Sequence, residues 1–193
     1  PLKILVIDSD EADLMLVRNL FAKTKLKVNV EEVADFRDGI EKIKTENFDC
    51  TLIDYHLPNA KGLEVIEQLL EVDGKEIPLI VLTRMGSESM ATDVMKKGAA
   101  DYVSKNGLNS DTLERSIRNA VKINQLQRQA KVAESAILER EKQYRTIIET
   151  VSDIIIRLDV DKKIEFVNPA IRFFGYEPTE MVGQPIKQFV EKV

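Results

Sequence analysis

The chain has 193 residues, 44% of them hydrophobic and 32% charged, with a net charge of −5. That is enough for one full globular domain plus an additional segment, at about 100–200 residues per domain, and the acidic balance argues against broad nucleic-acid binding. No apolar run approaches the roughly 18 residues of a membrane span and no charged-then-apolar leader opens the chain, so no membrane partner is expected. The single cysteine, Cys50, cannot form an internal disulfide and reads as a small buried hydrophobe, which fits a reducing cytoplasm. A start at Pro1 without Met, and an end inside a patterned region, suggest a piece of a longer chain.

Leu2 to Asp8, LKILVID, is a nearly continuous apolar strand of the kind buried on both faces of a parallel sheet. Residues 10–23 then place Leu14, Leu16, Val17, Leu20 and Phe21 near helical spacing, with Asp10 as N-cap and Asp13 as a favourable first-turn charge. KVNVEEV alternates like a strand, and FRDGIEKIKTE sets Phe36, Ile40 and Ile43 on one helical face. FDCTLID is a strand ending in Asp54, followed by a turn carrying Pro58, Asn59 and Gly62 and the helix GLEVIEQLLEV. IPLIVLT is another strand, SESMATDVMKKG a helix closed by Gly98, AADYVSK a short strand, and SDTLERSIRNAV the opening of a further helix. Strand and helix alternate five times, which predicts an α/β fold with a doubly wound parallel sheet.

From Ile123 a heptad seam can be written through Leu126, Ala130, Ala133, Ile137, Arg140, Tyr144, Ile147 and Val151, eight of its nine positions apolar and no Gly or Pro between them. It predicts a helix running on into a coiled coil that pairs two copies of the chain. The alternative is a single amphipathic helix folded back on its own domain. Beyond Val151 the pattern returns to strands, DIIIRLD and KIEFVN, joined by a hairpin-like connection. The segments PAIRFFGY and EPTEMVGQ follow as two short helical pieces punctuated by Gly175, Pro178 and Gly183.

Ligands of an open parallel sheet bind beyond the carboxyl ends of its strands. There the strands end in Asp8, Asp54, Thr83 and Lys105. Two carboxylates a few ångström apart repel unless a cation lies between them, and a hard oxygen-lined site suits Mg²⁺. Lys105 adds a compact positive charge and Thr83 a hydroxyl. Together these groups would hold a phosphoryl group while a carboxylate acts as nucleophile. No Gly-rich phosphate loop follows the first strand, which argues against a flavodoxin-type cofactor site.

ILVIDSD, LIDYHLPNAKGLEVI, PLIVLT and GAADYVSK closely resemble the response-regulator receiver domain (CheY-like) of two-component signalling, over roughly residues 1–122. The resemblance implies a flavodoxin-like five-stranded sheet of order 2-1-3-4-5. By it, Asp54 is the phosphoacceptor, and Asp8, Asp54 and the backbone carbonyl of His56 hold Mg²⁺. Thr83 and Lys105 grip the phosphoryl oxygens, and Tyr102 is the aromatic that moves inward with Thr83. A sensor histidine kinase or phosphotransfer protein is the implied partner. Two departures stand out. Ser9 occupies the place of a second acid, so Ser9 or Asp10 is a further candidate for the cation through a water, and Asn106 replaces the usual proline after the lysine. These departures leave open a receiver-like interaction scaffold that accepts no phosphate. His56, the only histidine, reads as a loop residue offering its backbone, and Arg84 either shapes access to the pocket or is solvated.

The segment from about residue 140 to 193 resembles the first half of a PAS sensory domain, carried by the cap helix, two strands, the NPA turn and FGY…E…G. The expected organisation is a receiver at 1–122, a helical linker at 123–146 and a partial α+β PAS domain at 147–193. An output domain is expected outside the chain, with a hybrid sensor kinase or a cyclic-dinucleotide enzyme as alternatives for the whole protein. Phe166, Phe173, Phe174 and Tyr176 read as core rather than a cofactor box, and no bound cofactor besides Mg²⁺ is expected.

Overall fold

The five strand-like segments become the five strands of one parallel sheet in the computed structural model, which describes residues 1–58, 62–72 and 76–190. The strands are β1 (Leu2–Ile7), β2 (Val28–Val33), β3 (Cys50–Asp54), β4 (Leu79–Thr83) and β5 (Asp101–Ser104). Their order is β2-β1-β3-β4-β5 and every pairing is parallel. Between them run α1 (Glu11–Phe21), α2 (Phe36–Thr45), α3 (Gly62–Leu70) and α4 (Glu88–Lys96), with α5 (Ser110–Thr150) after β5. Asn59, in the turn expected after β3, lies outside the described residues.

Successive side chains of a strand point to opposite faces, and the core divides accordingly. Ile4, Val6, Leu52 and Ile80 pack with Val17 and Leu20 of α1 and Ile117 of α5. Leu5, Ile7, Ile53 and Val81 pack on the other face with Ile43 of α2, Ile66 of α3 and Val94 of α4. Each such side chain contributes about 1.5–3 kcal/mol through removal from water, so β1, β3 and β4 must be central. Cys50 is buried among them, and burial raises its thiol pKa well above the ordinary value.

Helix ends follow the residues that can satisfy them. Asp10, Asp35 and Ser87 cap α1, α2 and α4, accepting from the amides of Ala12, Arg37 and Met90. Gly98, at φ +105°, closes α4: its amide donates to Met95 O and the amide of Ala99 to Val94 O. Glycine alone adopts that backbone without strain.

The chain divides into two units, Pro1–Gln129 and Ala130–Val193. In the second, β6 (Ile156–Leu158) pairs antiparallel with β7 (Ile164–Val167). A 3-10 helix (Pro169–Phe174) and the short helices α6 (Pro178–Met181) and α7 (Lys187–Val190) complete it. Ile164, Val167, Ile171 and Met181 form its core. Here the structure shortens the first expected strand, residues 153–159, to three residues. The cause is Asn168, which is fully buried. Its side chain accepts from Ile155 N at 2.9 Å and donates to Asp153 O at 2.9 Å and, at the end of α5, to Ile148 O at 3.1 Å, so Ile155 N and Asp153 O serve a side chain instead of a ladder. The PAIRFF segment is a 3-10 helix rather than α, ended by Gly175 at φ +83°.

The helix expected to open at residue 110 runs without interruption through 41 residues to Thr150. Ile123, Leu126, Ile137, Tyr144 and Ile147 are each more than half exposed on it, as are Val132 and Leu138 off the seam. Among the described residues no helix is long and apolar enough to cross a membrane.

Candidate functional site

Parallel strands deliver their carboxyl ends to one rim, and register decides which residues meet there. Ile7 pairs with Ile53, Asp54 with Leu82 and Thr83 with Ser104. Backbone hydrogen bonds from Asp8 N to Val33 O and from Lys105 N to Thr83 O extend the ladder just past the strands. Asp8, Asp54, Thr83 and Lys105 therefore gather, although 97 residues separate the first from the last.

The Lys105 ammonium is the centre of the site. It lies 2.6 Å from Asp54 Oδ1, 2.7 Å from Asp8 Oδ2 and 2.7 Å from Asp13 Oδ2, and its side chain is 3% exposed. Burial alone would lower its pKa, but hydrogen bonds to Asp13, Asp54 and Asp8 outweigh this and raise it above 10.5. Burial raises the Asp8 carboxyl, partly offset by Lys105. For Asp13 burial pulls the same way, yet the hydrogen bonds from Arg84 and Lys105 prevail and lower it.

Asp13 has a second role that the sequence does not reveal. It is the first-turn acid expected on α1, and the structure also buries it, at 4% exposure. Oδ1 accepts from Arg84 Nη2 at 2.5 Å and Nε at 3.1 Å, while Oδ2 takes Lys105. Arg84 Nη2 also lies 3.4 Å from Asp10 Oδ2. Only the rotation of α1 and two partners more than seventy positions away reveal this role, so spacing within α1 carried no sign of it. Asp10 is the exposed cap of α1, and its own amide donates to Asp8 Oδ1 at 3.0 Å. Ser9 is exposed beside it at the cavity mouth.

Thr83 is fully buried; its hydroxyl donates to Met85 O at 3.0 Å and lies 3.3 Å from His56 Nδ1. The His56 amide donates to Asp54 Oδ2 at 2.9 Å, and its ring meets Tyr55 edge-on at 5.1 Å. The side chain of His56 thus touches the site, where the sequence reading had only its backbone. Tyr102 packs behind the loop after β4, its hydroxyl 3.6 Å from Met90 Sδ. Asn106 follows Lys105 through a trans peptide and donates from Nδ2 to Arg84 O at 2.7 Å.

A cavity of about 310 Å³ opens onto Asp8, Ser9, Asp10, Asp13, Asp54, His56, Arg84 and Met85. Carboxylate oxygens of Asp8, Asp13 and Asp54 lie within 4.8 Å of one another. An all-oxygen donor set of this charge fits a hard divalent cation. Asp54 lines this cavity and keeps 9% of its surface exposed, the most of the three clustered acids.

Comparison with known proteins agrees with this geometry. Residues 4–118 match the response regulator receiver domain and residues 142–193 a PAS domain. The chemotaxis protein CheY of Listeria monocytogenes is 30% identical over 107 residues, 54% of this chain and 86% of that protein. The regulatory protein LuxO of Vibrio cholerae is 30% identical over 99 residues, 51% of this chain, and the chain spans only 21% of LuxO. Among solved structures, a receiver domain from Clostridium thermocellum superposes with TM-score 0.57 at 26% identity, covering 65% of this chain and 98% of that one. The receiver domain of a putative Luxo repressor from Vibrio parahaemolyticus, at 22% identity and TM-score 0.59 over 67% of this chain and 96% of that one, shares the fold. The chain belongs to the response regulator receiver domain family of two-component systems, and a PAS region follows its receiver.

Proposed function

We propose that Asp54 accepts a phosphoryl group from the phosphohistidine of a sensor histidine kinase or phosphotransfer protein, and that the change passes along α5 to the PAS region. The supporting observation is that Asp54 lines the open cavity beside the buried Lys105 ammonium, 2.6 Å away. An Asp54 oxygen attacks phosphorus, the phosphorus–nitrogen bond breaks, and its electron pair leaves on the imidazole. Asp8, Asp54 and the His56 carbonyl would hold Mg²⁺, with Ser9 or Asp10 reaching it through a water. Bound there, the cation neutralises charge on the phosphoryl oxygens.

Lys105 takes one phosphoryl oxygen as it gives up part of its contact with Asp54. The Thr83 hydroxyl, which now donates to Met85 O, turns to another. That draws in the loop after β4, and Tyr102 follows, a shift between two packings of the β4–β5 face. The exposed apolar residues of α5, Ile123 and Leu126 in the first unit and Ile137, Tyr144 and Ile147 in the second, support a homodimer formed through this helix.

A second reading, a scaffold that takes no phosphate, is favoured by Ser9 standing where the family carries an acid. The two separate in one experiment. Incubation with acetyl phosphate and Mg²⁺ should raise the intact mass by one phosphoryl group, and Asp54→Asn should abolish the gain. An unchanged mass would favour the scaffold.

A further inference from the structure

The cation site holds an acid and a counter-ion that the strand-end pattern does not include. Ser9 presents a neutral hydroxyl next to Asp8, while α1 brings the buried Asp13 carboxylate into the same cluster. That carboxylate is divided between two cations of different kinds. Lys105 is enclosed, its side chain 3% exposed and held by all three acids. Arg84 lies at the mouth, its side chain 52% exposed, with its guanidinium on Asp13 and near Asp10.

Occupancy then decides what must move. Both oxygens of Asp13 are already taken, Oδ1 by Arg84 and Oδ2 by Lys105. A divalent cation that binds Asp13 must displace one of the two. Lys105 has no solvent to move into. Arg84 does, and its backbone stays fixed because Asn106 holds its carbonyl.

We propose that Asp13 supplies the second acid that Ser9 does not, and that Arg84 is a tethered counter-ion displaced from Asp13 when a divalent cation enters. Asp13 thereby becomes a cation-binding residue and Arg84 a positioning residue that sets the affinity. The proposal rests on the cation-binding reading of the site given above. With the cation bound, the released guanidinium stands at the mouth where a phosphoryl donor must approach.

The test is Mn²⁺ binding to the unphosphorylated chain, followed by loss of the free-ion electron paramagnetic resonance signal. Arg84→Gln should bind about threefold tighter or more, since an exposed ion pair is easily exceeded. Asp13→Asn should bind about tenfold weaker or more, as changes to a metal's immediate surroundings do. In the Asp13→Asn background, Arg84→Gln should give no further gain, because its effect runs through Asp13. Arg84→Lys, which keeps the charge without the fork, should restore most of the wild-type affinity. Equal or weaker binding by Arg84→Gln overturns the proposal, as does the same gain with Asp13 absent. If Asp13→Asn does not fold, the exposed Arg84 variants decide alone. Binding by the wild type with no change in Arg84→Gln overturns the counter-ion while leaving the cation site standing. No binding by either protein overturns both.

Discussion

Lys105 Nζ stands 2.6 Å from Asp54 Oδ1, and the same ammonium is shared with Asp8 and Asp13. A buried cation held by three carboxylates is structural as well as chemical. Lys105→Met would leave the acids facing one another without it. Removing one partner of a buried charge cluster costs about 3–5 kcal/mol, so thermal unfolding in chelator should move to a clearly lower temperature. Added Mg²⁺ should recover part of the loss by replacing the missing charge. A melting temperature equal to wild type in chelator would show that Lys105 does not balance these acids.

Gly86 and Tyr102 are coupled by lack of space. A Cβ at Gly86 would fall 1.7 Å from the Tyr102 hydroxyl and 3.1 Å from Thr83 Cγ2. Gly86→Ala should therefore expel the Tyr102 ring from behind the β4–α4 loop, at a cost of about 1 kcal/mol. Mass-mapped nitration by tetranitromethane should find Tyr102 more reactive than in the wild type. Unaltered reactivity would mean that the loop, not the ring, gives way.

The sheet, and the meeting of four residues at its rim, were legible because they follow from local pattern. Continuous apolar runs must be central strands, strict alternation with helices makes them parallel, and parallel strands bring Asp8, Asp54, Thr83 and Lys105 to one rim. Asp13 was legible only as a first-turn acid, since its burial depends on partners at positions 84 and 105. The Arg84 ion pair and the contact between the His56 ring and Thr83 are likewise tertiary facts. In the second unit, Asn168 takes up the backbone groups that the alternating pattern assigned to a strand.

Asn168 makes a specific stability prediction for that unit. Asn168→Ala would leave Ile155 N, Asp153 O and Ile148 O without their side-chain partner. An orphaned backbone group costs roughly 1–3 kcal/mol where water cannot reach it and less where it can, as beside the exposed Asp153 and Ile155. Hydrogen exchange should show the amide of Ile155 exchanging at least about tenfold faster in the variant, a loss of about 1.4 kcal/mol in local stability. Unchanged protection at Ile155 would show that the turn is held by other contacts.

Glu31 predicts an acid-side dependence. Lying 2.8 Å from Lys3 and 2.5 Å from Lys42, its carboxyl is held at about 2 against an ordinary 4.5 by hydrogen bonds from Lys3 and then Lys42. A lowered folded-state pKa adds stability at neutral pH that is lost as pH falls from about 4.5 towards 2. Denaturant unfolding of wild type and Glu31→Gln should show a stability difference that narrows across this window. A difference constant with pH would contradict the ion-pair account.

The central claim is that the Asp54 carboxylate is the group phosphorylated, with help from a divalent cation. The most direct measurement is peptide mapping by tandem mass spectrometry after acetyl phosphate treatment and borohydride trapping, with Mg²⁺ and with chelator. The account predicts the trapped product at Asp54 in Mg²⁺ and its near absence in chelator. Labelling at another residue, or equal labelling of Asp54 in chelator, would contradict it.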